Sequence, residues 1–356
     1  MSTPAKAPPL RRTTLRFVVA VAALFVPAVV VAFTPLAALT ELLFIGLIPT
    51  LFGALYGRRV ALTAAVATAV TVGLVELVNP YTAAAVILMA VLGFAVGLCG
   101  LRGWQSMATI VFSWPAVLVV GAPVVLSTNG WSPGTVATLA WLLDGAGAVL
   151  LAAVATLVGG LWTLIATLVL PPLPRSTPEP LDAPTSLIYG GALALVLAIA
   201  TSAASTWAHG TMAGWALLTI LVVARPGIHE TWHRVVARAL GTIAGGVAAG
   251  ALSLIVPVEA VLSVLGLVAL VAAVVLQLKK ANYALYSIAL TAAIVLLNAH
   301  GVDVFAVDVA RVLFTIAGAV LAAAAVAALQ IALAARTRRQ RDRGVLGVPQ
   351  RTQAET

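Results

Sequence analysis

The chain has 356 residues, of which 62% are hydrophobic and only 9% charged, with 20 Lys and Arg against 11 Asp and Glu for a net charge of +9. That balance excludes an ordinary soluble domain and makes lipid the solvent for most of the chain. The basic residues punctuate apolar segments or sit in the tails, which points to lipid head groups and membrane topology and not to nucleic acid.

Residues 1–15 form a short basic tail. The run that follows, within "RRTTLRFVVAVAALFVPAVVVAF", resembles a signal peptide, and Arg11-Arg12 resembles a twin-arginine signal. With so many apolar runs downstream, it reads as an uncleaved first helix. Stretches long enough to cross a bilayer predict twelve spans: 16–33, 38–56, 60–78, 82–100, 106–126, 135–157, 186–206, 211–224, 236–256, 258–277, 282–299 and 304–335. The eighth is short, the sixth and twelfth run on, and 158–170 reads as an extra half-span. Cys99, the single cysteine, falls in the fourth span as a small packing residue, so no disulfide forms within the chain.

Charge fixes the expected orientation. With the N-terminus cytoplasmic, Lys6, Arg11, Arg12, Arg16, Arg58, Arg59, Arg102, Arg175, Arg225, Arg234, Arg238, Lys279, Lys280 and the tail "RTRRQRDR" all fall inside. Of the 20 Lys and Arg, only Arg311 falls on the outer half, where Glu41, Glu76, Glu259, Asp303 and His300 gather. An odd span count breaks this agreement. The chain therefore reads as an all-α polytopic protein of a bacterial cytoplasmic membrane, with about twelve transmembrane helices and both termini cytoplasmic.

"PPLPRSTPEPLDAPTS" is the one long Pro-rich linker. It divides the chain into a first six-helix half (16–170), a linker (171–185), a second six-helix half (186–335) and a basic tail (336–356). Arg59-x3-Thr63 and Arg238-x3-Thr242 open the third span of each half, and "AGAV" recurs in each sixth span. Six spans is even, so the halves are expected to be parallel repeats.

One stretch invites a different chemistry. "RPGIHETWHR" contains His229-Glu230-Thr231-Trp232-His233, formally H-E-x-x-H, which sets two imidazoles and a glutamate base on one helical face. Leu143-Asp144-Gly145 looks like the aspartate motif of intramembrane zinc proteases. Zinc needs its ligands at about 2.0–2.2 Å, yet charge topology sets His229 and His233 at the cytoplasmic surface. Asp144 lies about 14 Å into its span from the opposite side. The order of the two motifs is also reversed, so no metal site is expected, and the stretch reads as a turn at Pro226-Gly227 followed by a helix start.

Read for its other residues, this region is more informative. "ARPGIHETWHRVVARALGTIAGGVAAG" carries Arg225-Pro226, Arg234, Arg238 and Gly241-Thr242-x-x-Gly245. "KKANYALYSIALTAAIVLL" carries Asn282, Tyr283 and Leu285, and "DVARVLFTIAGAVLA" carries Arg311, Thr315 and Gly318. These three ordered segments, within residues 224–325, resemble the signature of the fusaric acid resistance-like (FUSC) family, bacterial relatives of aromatic acid exporters and plant aluminium-activated malate transporters. Many relatives carry a large cytosolic domain, and only short tails remain here. The resemblance implies a transporter that exports organic or aromatic carboxylate anions and not an enzyme. No cofactor is implied.

The repeated R-x3-T-x2-G spacing puts Arg238, Thr242 and Gly245, and again Arg311, Thr315 and Gly318, on one helical face each. An intramembrane arginine needs a carboxylate, carbonyls or a watery cavity. Arg311 therefore either pairs with Asp308 or lines an anion path, and Arg238 either snorkels to the cytoplasmic face or binds an entering anion. The expected substrate path is Arg238, Thr242, Arg311, Thr315, Asn282 and Tyr283, with passage between the halves. Asp144 and Asp308 are the expected proton-coupling groups. Gly241/Gly245 and Gly246/Gly250 are small-xxx-small pairs suited to close helix packing. The expected partners are membrane lipid and a small organic anion, with a homo-oligomer left open. The absence of a Walker A pattern argues against ATP hydrolysis. A membrane zinc protease and a non-transporting scaffold are the alternatives. The depth of Arg311 and a third ligand for His229 and His233 separate them.

Overall fold

The computed structural model describes residues 10–121, 145–168, 175–256, 258–279, 281–297 and 304–345. Among these residues every regular element is helical: α1 (Leu10–Leu24), α2 (Val26–Ala32), a 3-10 turn (Ala37–Leu39), α3 (Thr40–Ala54), α4 (Arg58–Val78), α5 (Thr82–Gly100), α6 (Gln105–Ala116), α7 (Gly145–Ala166), α8 (Ala183–Trp207), α9 (Gly214–Val223), α10 (Ile228–Ile255), α11 (Glu259–Leu278), α12 (Tyr283–Leu297) and α13 (Val304–Val345). Eight helices among them are long and apolar enough to cross a membrane, and α9 and α12 are shorter apolar helices.

Several expected boundaries move. The first span is two helices, because Pro27 opens α2 and cannot donate to the preceding turn. The fifth stops at Ala116, one residue past Pro115. The sixth runs to Ala166, so the first part of the expected half-span at 158–170 is the end of α7. The ninth begins at Ile228, eight residues before the apolar run that predicted it. Asp144, His300, Asp303, Lys6 and Lys280 lie outside the described residues.

The connections sort onto two faces. On one face the Ser176 N–H donates to Leu55 O (2.9 Å) and the Leu181 N–H to Gly100 O (2.9 Å), tying the linker to the ends of α3 and α5. Gln105 adds a bond to Glu179 O (3.2 Å). Burial pushes the Tyr56 phenol up at this face, and the nearby positive charge of Arg225 opposes the shift. On the far face Asn79 Nδ2 donates to Leu118 O (2.9 Å) and the Gly210 N–H to Val120 O (2.9 Å), which satisfies carbonyls where α6 ends. Arg58, Arg59, Arg102, Arg175, Arg225 and Lys279 belong to the linker face.

Asp182 caps α8 by accepting from the Thr185 N–H (3.1 Å), with Pro184 in the first turn. The Thr185 hydrogen bonds hold this exposed carboxylate below its ordinary value. The cap is therefore in place at neutral pH and is lost as pH falls through that lowered pKa.

Lipid gives helices little hydrophobic reason to associate, so close packing at small residues takes over. A Cβ on Gly97 of α5 would strike the Gly190 backbone of α8, one on Gly46 of α3 the Thr156 carbonyl of α7, and one on Gly318 of α13 the Ala216 carbonyl of α9. Buried threonines on these helices return their hydroxyls to the preceding turn: Thr50 to Gly46 O (2.8 Å), Thr68 to Ala64 O (2.7 Å), Thr156 to Ala152 O (2.9 Å) and Thr219 to Trp215 O (2.7 Å). Gly97→Val should destabilise the protein by about 1–3 kcal/mol through overpacking. Gly191→Val, where an added Cβ meets nothing within 4 Å, should shift stability by less than about 0.5 kcal/mol. Thermal unfolding of both variants in detergent checks the contrast.

Candidate functional site

The helices of the second half bring the family-like motifs together. Gly241 of α10 packs on Ser287 of α12, and Gly245 packs on Ile288 O and Thr291, so α10 and α12 run the same way. Trp215 of α9 meets Arg311 of α13, Ala216 meets Gly318, and the Gln330 amide donates to Pro226 O (3.4 Å), so α9 and α13 also run together. α13 packs on α10, and Gln330, late in α13, meets Pro226 just before α10 begins, so the two run in opposite senses.

On α10 one stripe is buried: Ala237, Arg238, Gly241, Thr242, Gly245 and Ala249. Leu240, Ile243 and Val247 on the other side are exposed, as lipid-facing residues should be. Because the helix starts at Ile228, Arg238 lies about 15 Å along it and is only 1% exposed. It does not snorkel to the surface. Its Nε and Nη2 have no hydrogen-bond partner among the described residues.

Arg311 is 2% exposed. Its Nη1 donates to Thr291 O (3.3 Å), and its guanidinium lies 4.5 Å from the centre of the Trp215 ring. A desolvated cation on an indole face is a strong cation–π contact, worth about 2 kcal/mol. Asp308 lies on α13 one turn before Arg311, but its side chain is outside the described part. Asp144 is outside it altogether.

Three threonine hydroxyls on the arginine-bearing helices and α12 are buried without partners among the described residues, a condition Thr40 on α3 shares. Thr242, Thr291 and Thr315 are fully buried, and none of their Oγ1 atoms has a hydrogen-bond partner among the described residues. Thr201 on α8 shares that condition. Such atoms carry an unmet desolvation cost of about 1–3 kcal/mol each. Thr291, Ser287 and Trp215 are absent from the sequence-derived path, yet they contact its arginines. The repeated small-residue spacing on α12 carried no signal of its own.

Tyr283 takes its place at the linker face, with Arg234 stacked on its ring (5.3 Å) and Tyr286 beside it (5.6 Å). Asn282 is exposed, and its Oδ1 accepts from the Ala284 N–H (2.8 Å) as a cap on α12. Arg238 and Arg311 contact second-half helices, while Arg225 also lies near Tyr56 of the first half. The first half touches this group where Val117 packs on Gly214. Its counterpart residues Arg59 and Thr63 are exposed, and Thr63 simply bonds Arg59 O (2.9 Å). The cavity between α8, α9 and α13 is apolar and about 10 Å³, lined by Tyr189, Leu193, Ile220 and Val326 among others.

The H-E-x-x-H residues diverge. His229 and His233 are exposed, and no group of three or more metal-ligating side chains forms among the described residues. Glu230 instead faces Arg234 (3.5 Å) and Arg225 (3.9 Å). Thr231 accepts from the Arg225 N–H (2.9 Å) and donates to Arg225 O (3.0 Å), closing the Arg225-Pro226 turn on the helix start.

A bundle of apolar helices, eight of them long and apolar enough to cross a membrane among the described residues, is that of an integral membrane protein. Residues 197–327 match the family model described as fusaric acid resistance protein-like, and the three motif segments lie inside that match. No curated protein and no solved structure matches the chain.

Thr231→Val should cost about 1–3 kcal/mol, because it leaves the buried Arg225 backbone groups unsatisfied. The double change His229→Ala and His233→Ala should stay within about 0.5 kcal/mol. Unfolding measurements on the two variants in parallel decide which residues of this stretch matter.

Proposed function

We propose that this protein is an integral membrane transporter that exports organic carboxylate anions, aromatic ones included, by a secondary, proton-linked mechanism. The observation that carries the reading is the column of buried guanidiniums at the α9–α10–α12–α13 junction. Arg225 is 7% exposed, Arg238 1% and Arg311 2%, at successive positions from the linker face inward. Buried hydroxyls line the interval between Arg238 and Arg311. A bilayer-spanning bundle tolerates such residues where they meet a charged ligand.

In this reading the twelve-span topology holds, in two parallel six-helix halves, with both termini and the linker face in the cytoplasm of a bacterial cell. The basic residues of the linker face draw the anion in. Arg238 and then Arg311 replace its water, and the hydroxyls of Thr242, Thr291 and Thr315 complete the contact. The packed glycine seams along α10 and α13 let these helices shift against α12 and α9 without moving bulky side chains. Asp308, one turn from Arg311, and Asp144 exchange the coupling proton. The asymmetry between halves supports a path within the second half.

Flux of a panel of carboxylates across reconstituted vesicles tests the proposal. Arg311→Ala should lower flux of the transported anion by about tenfold or more, since a charge-assisted contact of about 1.5–3 kcal/mol is lost. Arg311→Lys should retain part of it. Equal flux in wild type and Arg311→Ala for every anion contradicts the reading.

A further inference from the structure

α8 opens the second half of the sequence but packs as part of the first. Its pairing with α5 is the most extensive helix contact among the described residues. A Cβ on Gly97 would strike the Gly190 backbone, and one on Gly93 the Ala194 backbone. The Ser186 hydroxyl donates to Gly97 O at the same crossing. Backbones that touch through small residues leave little slack between two helices. The linker bonds from Ser176, Leu181 and Gln105 fix the start of α8 at the linker face. Gly103, at φ +77°, lies so close to Glu179 that an added Cβ would strike its backbone.

On its other side α8 is held loosely. The apolar cavity of about 10 Å³ lies there, with Tyr189 and Leu193 of α8 facing Ile220 of α9 and Ala322 and Val326 of α13. Atoms lining a void lack the contacts that close packing supplies. A polar tie crosses this seam, where the Tyr189 hydroxyl donates to Ala224 O (3.1 Å). Tyr189 lies in the second turn of α8, and Ala224 caps the end of α9. The tie and the cavity therefore lie toward the linker face.

The far end of the seam is tight. A Cβ on Gly214, the first residue of α9, would strike the Val117 backbone. The Gly210 N–H donates to Val120 O (2.9 Å). Both contacts hold the α8–α9 turn against the end of α6. Gly210 has φ +74° and open space where a Cβ would go. A loop glycine of this kind absorbs a change of backbone angle at small cost.

We propose that the seam between α8 and the pair α9 and α13 is a hinged cleft. It opens toward the linker face, pivots on the Gly210 turn and is latched shut by the hydrogen bond from Tyr189 to Ala224. α8 stays with the first half as the cleft opens. The moving boundary thus lies one helix later than the linker that divides the sequence. The opening follows from packing and does not need transport. In the transport reading it is the cytoplasmic entrance to the arginine-bearing helices.

Thiol accessibility of the purified full-length protein in detergent tests it, in a Cys99→Ser background. Ala322→Cys and Leu193→Cys report the cleft, Ala213→Cys the pivot and Val96→Cys the α5 side of the fixed contact. None of these four positions is more than 3% exposed, so each reacts only when the structure opens around it. Methyl methanethiosulfonate, small and uncharged, is the probe. The two cleft cysteines should react at least about tenfold faster than the other two. Tyr189→Phe should speed the cleft cysteines by about two- to tenfold, the worth of one hydrogen bond, and leave the other two unchanged. Ala213→Cys or Val96→Cys reacting as fast as the cleft pair overturns the proposal. So does a Tyr189→Phe effect at all four positions or at none. A reactive cleft latched by Tyr189 in a protein with no carboxylate flux leaves the hinge standing and removes the transport reading. Carboxylate flux with an unreactive cleft does the reverse.

Discussion

A guanidinium cannot be left alone inside a bundle of apolar helices. The penalty for removing its water is several kcal/mol, large against the few-kcal/mol contributions that hold one helix to another. The second half of this protein is organised around that constraint. Arg311 gains a carbonyl and an indole face, and Arg225 has its backbone closed by Thr231 and its charge faced by Glu230. Arg238 has no comparable partner among the described residues. The rest of the packing keeps these groups in place: Gly241, Gly245 and Gly318 bring backbones close enough to seal them from lipid.

The arginine side chains described in the first half are all exposed. Its glycines pack as tightly, with Gly46 on Thr156 and Gly97 on Gly190. Its fully buried threonines Thr50, Thr68 and Thr156 return their hydroxyls to their own helices, while Thr40 Oγ1 is buried without a partner among the described residues. Its Arg59 and Thr63, at the spacing of Arg238 and Thr242, sit on the exposed surface. The first half carries a buried carboxyl oxygen instead: Glu76 Oε1 is buried without a partner among the described residues.

Much of this was legible in the sequence, for identifiable reasons. Apolar run length located most helices, because lipid imposes one length scale on all of them. Charge located the linker face, since Arg58, Arg102, Arg175 and Lys279 had nowhere else to go. The R-x3-T-x2-G spacing put Arg238 with Thr242 and Arg311 with Thr315 on shared faces. What failed was depth. Apolar patterning starts this span at residue 236, but the polar turn from His229 to Arg234 is helical too, so Arg238 lies far deeper than a surface residue. Partners were also illegible. Nothing marks Thr291 or Trp215 in the chain, because their importance depends on which helices cross. The H-E-x-x-H residue types fit zinc, but the stretch reads as a turn and helix start in the sequence, and in the structure its histidines are exposed while Thr231 closes the turn.

The central claim is that the buried hydroxyls beside Arg238 and Arg311 border a route for anions. Single cysteines at Thr242 and Thr315 in a Cys99→Ser background, with Ile243→Cys as a lipid-facing control, test it in reconstituted vesicles. The rate of reaction with small anionic and cationic thiosulfonates is the measurement. The account predicts that both positions react faster with the anionic reagent by about tenfold or more, that benzoate slows them, and that the control at Ile243 shows neither effect. Thr242→Cys and Thr315→Cys behaving like Ile243→Cys, with no charge preference and no protection, would contradict it.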